Sequence, residues 1–438
     1  MKQKGLANIE QQEPQQSVPS ILSKHRLLPG DRVLWIIVAI LFAISLVAVY
    51  TASSQLGLRE GTLDKELKRH TLTICASAVI LFVCYMLRAK LLRKTSALVF
   101  TMAWIMTLLA YFTTDAVNEA HRWLNLGFFK FQPSELLKIG TIMLLAANLS
   151  ARHHRINTIR LLPTTFDVRK WKTPKELNII KDDIVPIVLP IALACAVILP
   201  AHTSSAIHLF FVSMVLLFIA GIRFKEIMKV FMVALVVGTA LLFLIGRGSV
   251  VVTRVKNWIG IEQVEKKAED KKEGQAKKQQ KEKDPSKDTY YSKMAIQNGG
   301  LFGIGAGRSM MRTKLTHPES DYLFALVVEE FGFLLSFVIV LLYLWIFFRS
   351  LRIFEHCEWL YGGLLAVGLA FLITSQGFIH IGVTLGVIPE TGQNLPFITH
   401  SRTSMFCASI AMGIILGISR QVERGTLLPP SQMDNKHI

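Results

Sequence analysis

The sequence predicts an all-α integral membrane protein with ten transmembrane helices and both termini in the cytoplasm. Three observations carry that prediction. Of 438 residues, 51% are hydrophobic, which is more than one soluble core needs. The apolar residues fall in runs of about 18–25, the length that crosses a hydrocarbon layer of roughly 30 Å. Lys and Arg gather in alternate connections, as they do on the cytoplasmic side of multi-pass proteins.

The spans are expected at 33–52, 71–88, 96–114, 133–149, 184–201, 205–222, 226–246, 321–347, 360–380 and 403–419. The first lacks the short basic leader and small-residue cleavage site of a signal peptide, so it reads as a retained anchor. Residues 1–32 form a cytoplasmic tail with Lys2, Lys4, Lys24, Arg26 and Arg32, and 420–438 form a second tail with Arg420 and Arg424. Four basic residues in RAKLLRK, 88–94, and eight against four acids in 150–183 fall on that same side, as do GIRFKE, 221–226, and the stretch around Arg349 and Arg352. The 53–70 loop breaks the pattern with Arg59, Lys65, Lys68 and Arg69, accompanied by Glu60, Asp64 and Glu66. The net charge of +18 is therefore a topology signal plus attraction to anionic headgroups, and it gives no case for nucleic acid.

The long 247–320 connection is extracytoplasmic. Its part 265–288 holds nine Lys, seven acids and no apolar side chain larger than Ala, so it is expected to be disordered, a solvated spacer. Cys75, Cys84, Cys195 and Cys407 lie in spans and Cys357 in an inner loop, with no metal or disulfide spacing.

The informative polar residues converge on the outer face. Pro133 suits the first turn of a helix, so the fourth span starts there and runs inward. Glu135 and Lys138 share a face of that turn. An interfacial belt of aromatics and snorkelling cations accounts for Trp123 and Lys130, but not for a Glu and a Lys inside the start of a span. The stretch IGVTLGVIPETGQNLPFITHSR, 381–402, is too polar for a span and too apolar for a free loop. It is expected to fold back as a re-entrant segment before the last helix, lining a wet cavity. Asp321 lies at the outer mouth of the eighth span, where the helix dipole favours a carboxylate. Glu329 and Glu330 lie roughly 12–14 Å deeper; a structural ion pair with a buried cation is the favoured reading for them, and lining a pathway is the other. The five glycines in 299–307 lack the strand–loop–helix context of a nucleotide loop and read as a tight turn against the membrane surface.

An outer cavity with one well-placed carboxylate and several cations can remove a proton from a hydroxyl and neutralise a phosphate leaving group. With no ATP-binding motif, transfer from a lipid-bound phosphorylated donor fits.

These stretches resemble the SEDS family of polytopic bacterial proteins, the FtsW/RodA group. The residues that carry the likeness are RW at 122–123 with QPSELLK at 132–138, NGGLFGIGAG at 298–307, ESDYLFALVVEEFG at 319–332 and TGQNLPFITHSRTS at 391–404. The resemblance covers nearly all ten spans in order. It implies a peptidoglycan glycosyltransferase that polymerises lipid II into glycan strands at the outer face of the bacterial inner membrane. A class B penicillin-binding transpeptidase and other divisome membrane proteins are the implied partners. Asp321 matches the aspartate such proteins need, here assigned as general base toward the acceptor 4-hydroxyl. Arg122, Trp123, Gln132, Glu135, Lys138, Gln393, Asn394, Ser401, Arg402 and Ser404 are the implied substrate-binding residues, with Arg122, Lys138 and Arg402 as candidates to hold the pyrophosphate. No cofactor is demanded; a divalent cation bridging the pyrophosphate is compatible, without a ligand cluster that requires it.

The chain departs from the family pattern twice. PAHTSSA, 200–206, carries no acid where the family often does, and Ser401 and Arg402 stand where a Gly pair is usual. The Asn-Gly-Gly turn and TGQNLPF favour a division-type over an elongation-type member. The rival readings are a lipid II flippase and a non-catalytic scaffold of the divisome.

Overall fold

The computed structural model describes residues 29–60, 63–113, 123–125, 130–163, 174–246, 248–259, 285–315, 318 and 320–426. The first helices are α1 (Arg32–Glu60), α2 (Leu63–Met86) and α3 (Ala89–Thr113). A two-residue ladder of β1 (Leu124–Asn125) and β2 (Lys130–Phe131) leads to α4 (Pro133–Ala151). Then α5 (Pro174–Ile179) passes through a π-turn, Ile180–Ile184, into α6 (Val185–Ile198), and α7 (Thr203–Ile219) and α8 (Phe224–Leu244) follow. Two further helices, α9 (Gly248–Ile259) and α10 (Pro285–Gly299), precede α11 (Leu323–Glu355), α12 (Leu360–Thr384) and α13 (Arg402–Glu423).

Each predicted span coincides with a helix. Among the described residues eight are long and apolar enough to cross a membrane, namely α1 to α4, α8, α11, α12 and α13. The chain is a multi-pass membrane protein. The remaining two predicted spans fall on shorter helices, α6 of 14 residues and α7 of 17. Helix α6 is extended at its start by the π-turn, where Pro186 removes a backbone donor.

Burial identifies the core. Protein covers 83% of the membrane-crossing stretch of α12, 78% of α13 and 72% of α4, against 11% of α8, so α8 faces outward over most of its surface. Apolar burial gives helices no driving force in lipid, and close backbone packing takes its place. Gly413 and Gly417, one turn apart on α13, let that helix approach α2 until a Cβ on Gly413 would collide with the Leu81 carbonyl. At one end of the bundle Asp31 caps α1 by accepting from Val33 N at 2.9 Å, pairs with Arg349 Nε at 2.7 Å and takes Ser419 Oγ on its own amide at 2.9 Å. The described start and end of the chain therefore meet on one side.

Four expectations change. The 53–70 connection is helical on both sides of residues 61–62, because α1 and α2 continue past their apolar stretches. Helix α12 runs to Thr384, so the irregular outer segment is 385–401. Of the stretch expected to be disordered, 285–288 form the first turn of α10, which Pro285 opens; 265–284 lie outside the described residues. The eighth span is not one continuous helix from 321. It is broken at Gly332 (φ 80°, ψ 176°), a left-handed φ that favours glycine. The piece from 333 to 355 is about 34 Å long at 1.5 Å per residue and crosses a bilayer alone. Residues 323–331 are thus a separate half-helix ahead of the break, and Glu329 and Glu330 belong to it rather than to the piece from 333 to 355.

The packing at Gly413 predicts that G413V lowers the thermal midpoint of the purified protein, by an overpacking cost of about 1–3 kcal/mol. G238V, where a Cβ meets nothing within 4 Å, leaves the midpoint unchanged in the same melt.

Candidate active site

Glu135 and Lys138 lie on the first turn of α4, as their spacing predicts, and pair at 2.8 Å with the Lys138 side chain 0% exposed. Lys138 Nζ also donates to Gln376 Oε1 on α12 at 3.2 Å. Gln376 Nε2 donates to the Asn394 carbonyl at 3.0 Å. One turn along the same face of α12, His380 Nδ1 donates to the Gln393 carbonyl at 2.8 Å. The buried His380 Nε2 then carries a lone pair with no hydrogen-bond partner among the described residues. Asp321, half-buried at the start of the half-helix, lies close enough for its charge to act on the His380 ring. Two side chains four residues apart on α12 therefore link the Glu135–Lys138 pair to Asp321 and to the outer segment.

Hydrogen bonds with α7 and α11 also hold the outer segment. Gln393 Nε2 donates to Ser205 Oγ at 2.9 Å, and Ser204 Oγ to the Thr391 carbonyl at 2.6 Å. The acid-free 200–206 stretch thus supplies hydroxyls, while His202 caps α7 by accepting from Ser205 N. Leu395, Phe397 and Ile398 are buried, and Tyr343 donates its hydroxyl to the Pro396 carbonyl. Phe397 is held at φ 67°, a backbone strain of about 1–3 kcal/mol that burial and an edge-on contact with Phe42 sustain. Irregular backbone in the protein interior is satisfied here by side chains, as it must be at membrane depth.

The turn at 299–312 packs against the broken helix. Amides of Ile304 and Gly305 donate to the Glu329 and Glu330 carbonyls at 3.0 Å, and those of Phe333 and Leu334 donate to the Gly300 and Leu301 carbonyls. The turn therefore saturates both ends of the broken helix. A Cβ at Gly299 or Gly303 would collide with the Val328 or Glu330 carbonyl. Glu330 pairs with Arg312 at 2.7 Å, the side chains 1% and 0% exposed. Glu329 accepts from Ser309, from Met310 N at 3.2 Å and from Asn298 Nδ2 at 3.3 Å.

Of the other predicted residues, Arg122 lies outside the described residues. Trp123 is half-buried, and Gln132 is buried with its amide donating to Thr403 Oγ1 at 3.3 Å. Ser401 is half-buried and Arg402 exposed at the start of α13. Ser404 is buried and lines, with Glu135, Gln376 and Cys407, a cavity of about 20 Å³. That is room for one water, not for a sugar. Lys138 is wholly buried, with its ammonium held by Glu135 and Gln376. No cluster of three or more metal-ligating side chains occurs among the described residues. Gln376 and His380 were missed, although polar residues inside an apolar span are themselves a signal.

Residues 31–424 match the model of the cell cycle protein family that groups FtsW, RodA and SpoVE. The chain belongs to this family. The SEDS chain is 27% identical over 406 residues to a probable peptidoglycan glycosyltransferase FtsW of Haemophilus influenzae, covering 89% of this chain and 90% of that one. It is 27% identical over 307 residues to the stage V sporulation protein E of Bacillus subtilis, covering 69% and 72%. In fold it resembles a chain of a solved peptidoglycan synthase complex that coordinates polymerization and crosslinking, with a TM-score of 0.64, 20% identity and coverage of 90% and 98%. The rod shape determining protein RodA of Thermus thermophilus superposes with a TM-score of 0.59 at 19% identity, covering the same shares.

The buried pair predicts asymmetric mutational costs. K138M alone leaves Glu135 charged and unpaired and destabilises by about 3–5 kcal/mol, whereas E135L/K138M costs much less. Thermal melts of the two purified variants against the parent check the difference.

Proposed function

We propose that this SEDS chain is a peptidoglycan glycosyltransferase that polymerises lipid II at the outer face of the bacterial inner membrane during septal wall synthesis. The observation that carries the reading is Asp321. It is a partly solvent-facing carboxylate at the head of a short half-helix, near enough for its charge to reach His380, and His380 and Gln376 hold the 393–394 backbone and Lys138. The FtsW relatives bear the name of that activity.

In the reaction, an Asp321 oxygen takes the proton of the acceptor 4-hydroxyl as the hydroxyl oxygen of the acceptor bonds to the donor anomeric carbon. The bond from that carbon to the pyrophosphate breaks, and the departing undecaprenyl pyrophosphate carries the negative charge. Arg402, exposed at the first turn of α13, and Arg122 are the cations assigned to that charge. Lys138 acts at one remove by fixing Gln376 and, through it, the outer segment. A class B penicillin-binding transpeptidase is the partner, and other divisome membrane proteins complete the assembly.

The flippase alternative draws on Glu329 and Glu330 as a pathway. Their carboxylates are spent on Arg312 and on the glycine turn, which favours a polymerase. Full-length protein reconstituted with its transpeptidase and lipid II should form glycan polymer, and D321N should lower the rate by about 100-fold or more while inserting and binding partner normally. Undiminished polymer from D321N would remove the general-base assignment. Lipid II crossing sealed vesicles with that variant would support transport instead.

A further inference from the structure

Asp321 is one peptide bond from Tyr322, the N-cap residue of the half-helix. The Tyr322 side chain is buried, 4% exposed, and its hydroxyl donates to Glu390 Oε1 at 2.6 Å, a charge-assisted bond from the outer segment. Glu390 is a meeting point. Thr289 Oγ1 on α10 donates to the same oxygen at 3.4 Å, and Arg254 Nη1 on α9 donates to the Glu390 carbonyl at 3.3 Å. Around it, Trp258 Nε1 donates to the Gly386 carbonyl at 3.0 Å, and Ser292 Oγ to the Thr384 carbonyl at 2.7 Å. Burial, with Asp288 adding to it, raises the Glu390 pKa, while Tyr322, Arg254 and Thr289 oppose that rise. A carboxylate placed here is costly compared with an apolar residue of the same shape. Its short bond from the Tyr322 hydroxyl, with Thr289 as the longer second donor, gives it something to do that packing alone would not.

The half-helix is only nine residues long, 323–331, and is cut from the spanning helix at Gly332. Its far end is clamped by the glycine turn and by Glu329 and Glu330. Its near end, which bears Asp321, is clamped by Tyr322. We infer that Glu390 is a positioning residue for Asp321, an assignment that rests on the general-base reading above: through the Tyr322 hydroxyl its carboxylate holds the head of the half-helix so that Asp321 meets the acceptor sugar. Catalytic groups must be held to within about 0.5 Å, and a displacement of about 1 Å can cost a hundredfold in rate.

The test is steady-state polymerisation by the full-length chain with its transpeptidase, with rates expressed per lipid II-binding molecule so that unfolded protein is not counted. Y322F, which deletes one hydroxyl, should lower kcat by about ten- to hundredfold with KM within about twofold. E390Q should lower kcat in the same sense, and Y322F/E390Q should be no slower than Y322F, because the two act through one bond. W258F, which removes a neighbouring contact to Gly386, should keep parental kcat. Parental kcat in both Y322F and E390Q overturns the assignment, as does an equal loss in W258F, which would mean general loosening of the outer loops. D321N run alongside separates the two claims. If it is inactive while Y322F and E390Q are parental, only the positioning role falls; if it is active, the general-base reading falls first.

Discussion

A helix cut at the membrane boundary leaves carbonyls at one new end and amides at the other, and each needs a partner where water is scarce. In this chain that requirement is concentrated at Gly332. The glycine turn answers it from both sides, with the amides of Ile304 and Gly305 on the outer half-helix and the carbonyls of Gly300 and Leu301 on the spanning piece. Only residues without a side chain admit such an approach, which is why Gly299, Gly303 and Gly332 come together. The cut frees the half-helix to stand at an angle of its own, with Asp321 at its head. The site exists because the break is satisfied.

Buried charge then makes the arrangement specific. Glu330 with Arg312 and Glu135 with Lys138 are pairs in which either partner alone would be a costly unpaired ion. Neither is a strong source of stability compared with apolar packing. Each permits one register of its two segments and penalises others. The first fixes the turn on the half-helix, and the second, through Gln376, fixes α4 against α12 and the outer segment. The polar atoms left over point the same way. His380 spends one ring nitrogen on Gln393 and leaves the other without a partner among the described residues.

Much of this was legible in the residues. The spans were, because crossing a hydrocarbon layer depends on local apolar runs. The Glu135–Lys138 pair was, because three residues on a helix share a face. An ion pair for the Glu329–Glu330 dyad was half legible: the acids announced that they needed a cation, but nothing local named Arg312. The break beside those acids was not legible, since a single glycine inside an otherwise continuous apolar pattern does not declare a positive φ. The burial of Lys138 was not legible either, because the spacing that placed it on its turn says nothing of what packs around it.

The chain by itself determined what is additive along its length: which segments are apolar, which connections are basic, and which acids stand where an apolar run begins. Tertiary structure alone decided which of those groups are spent on one another and which stay available for chemistry. The reason is that a hydrogen bond or ion pair is settled by separations of a few ångströms between residues far apart in sequence, such as Tyr322 and Glu390 or Lys138 and Gln376. Those separations follow from helix packing and from one broken helix, neither of which is written in any single stretch of residues.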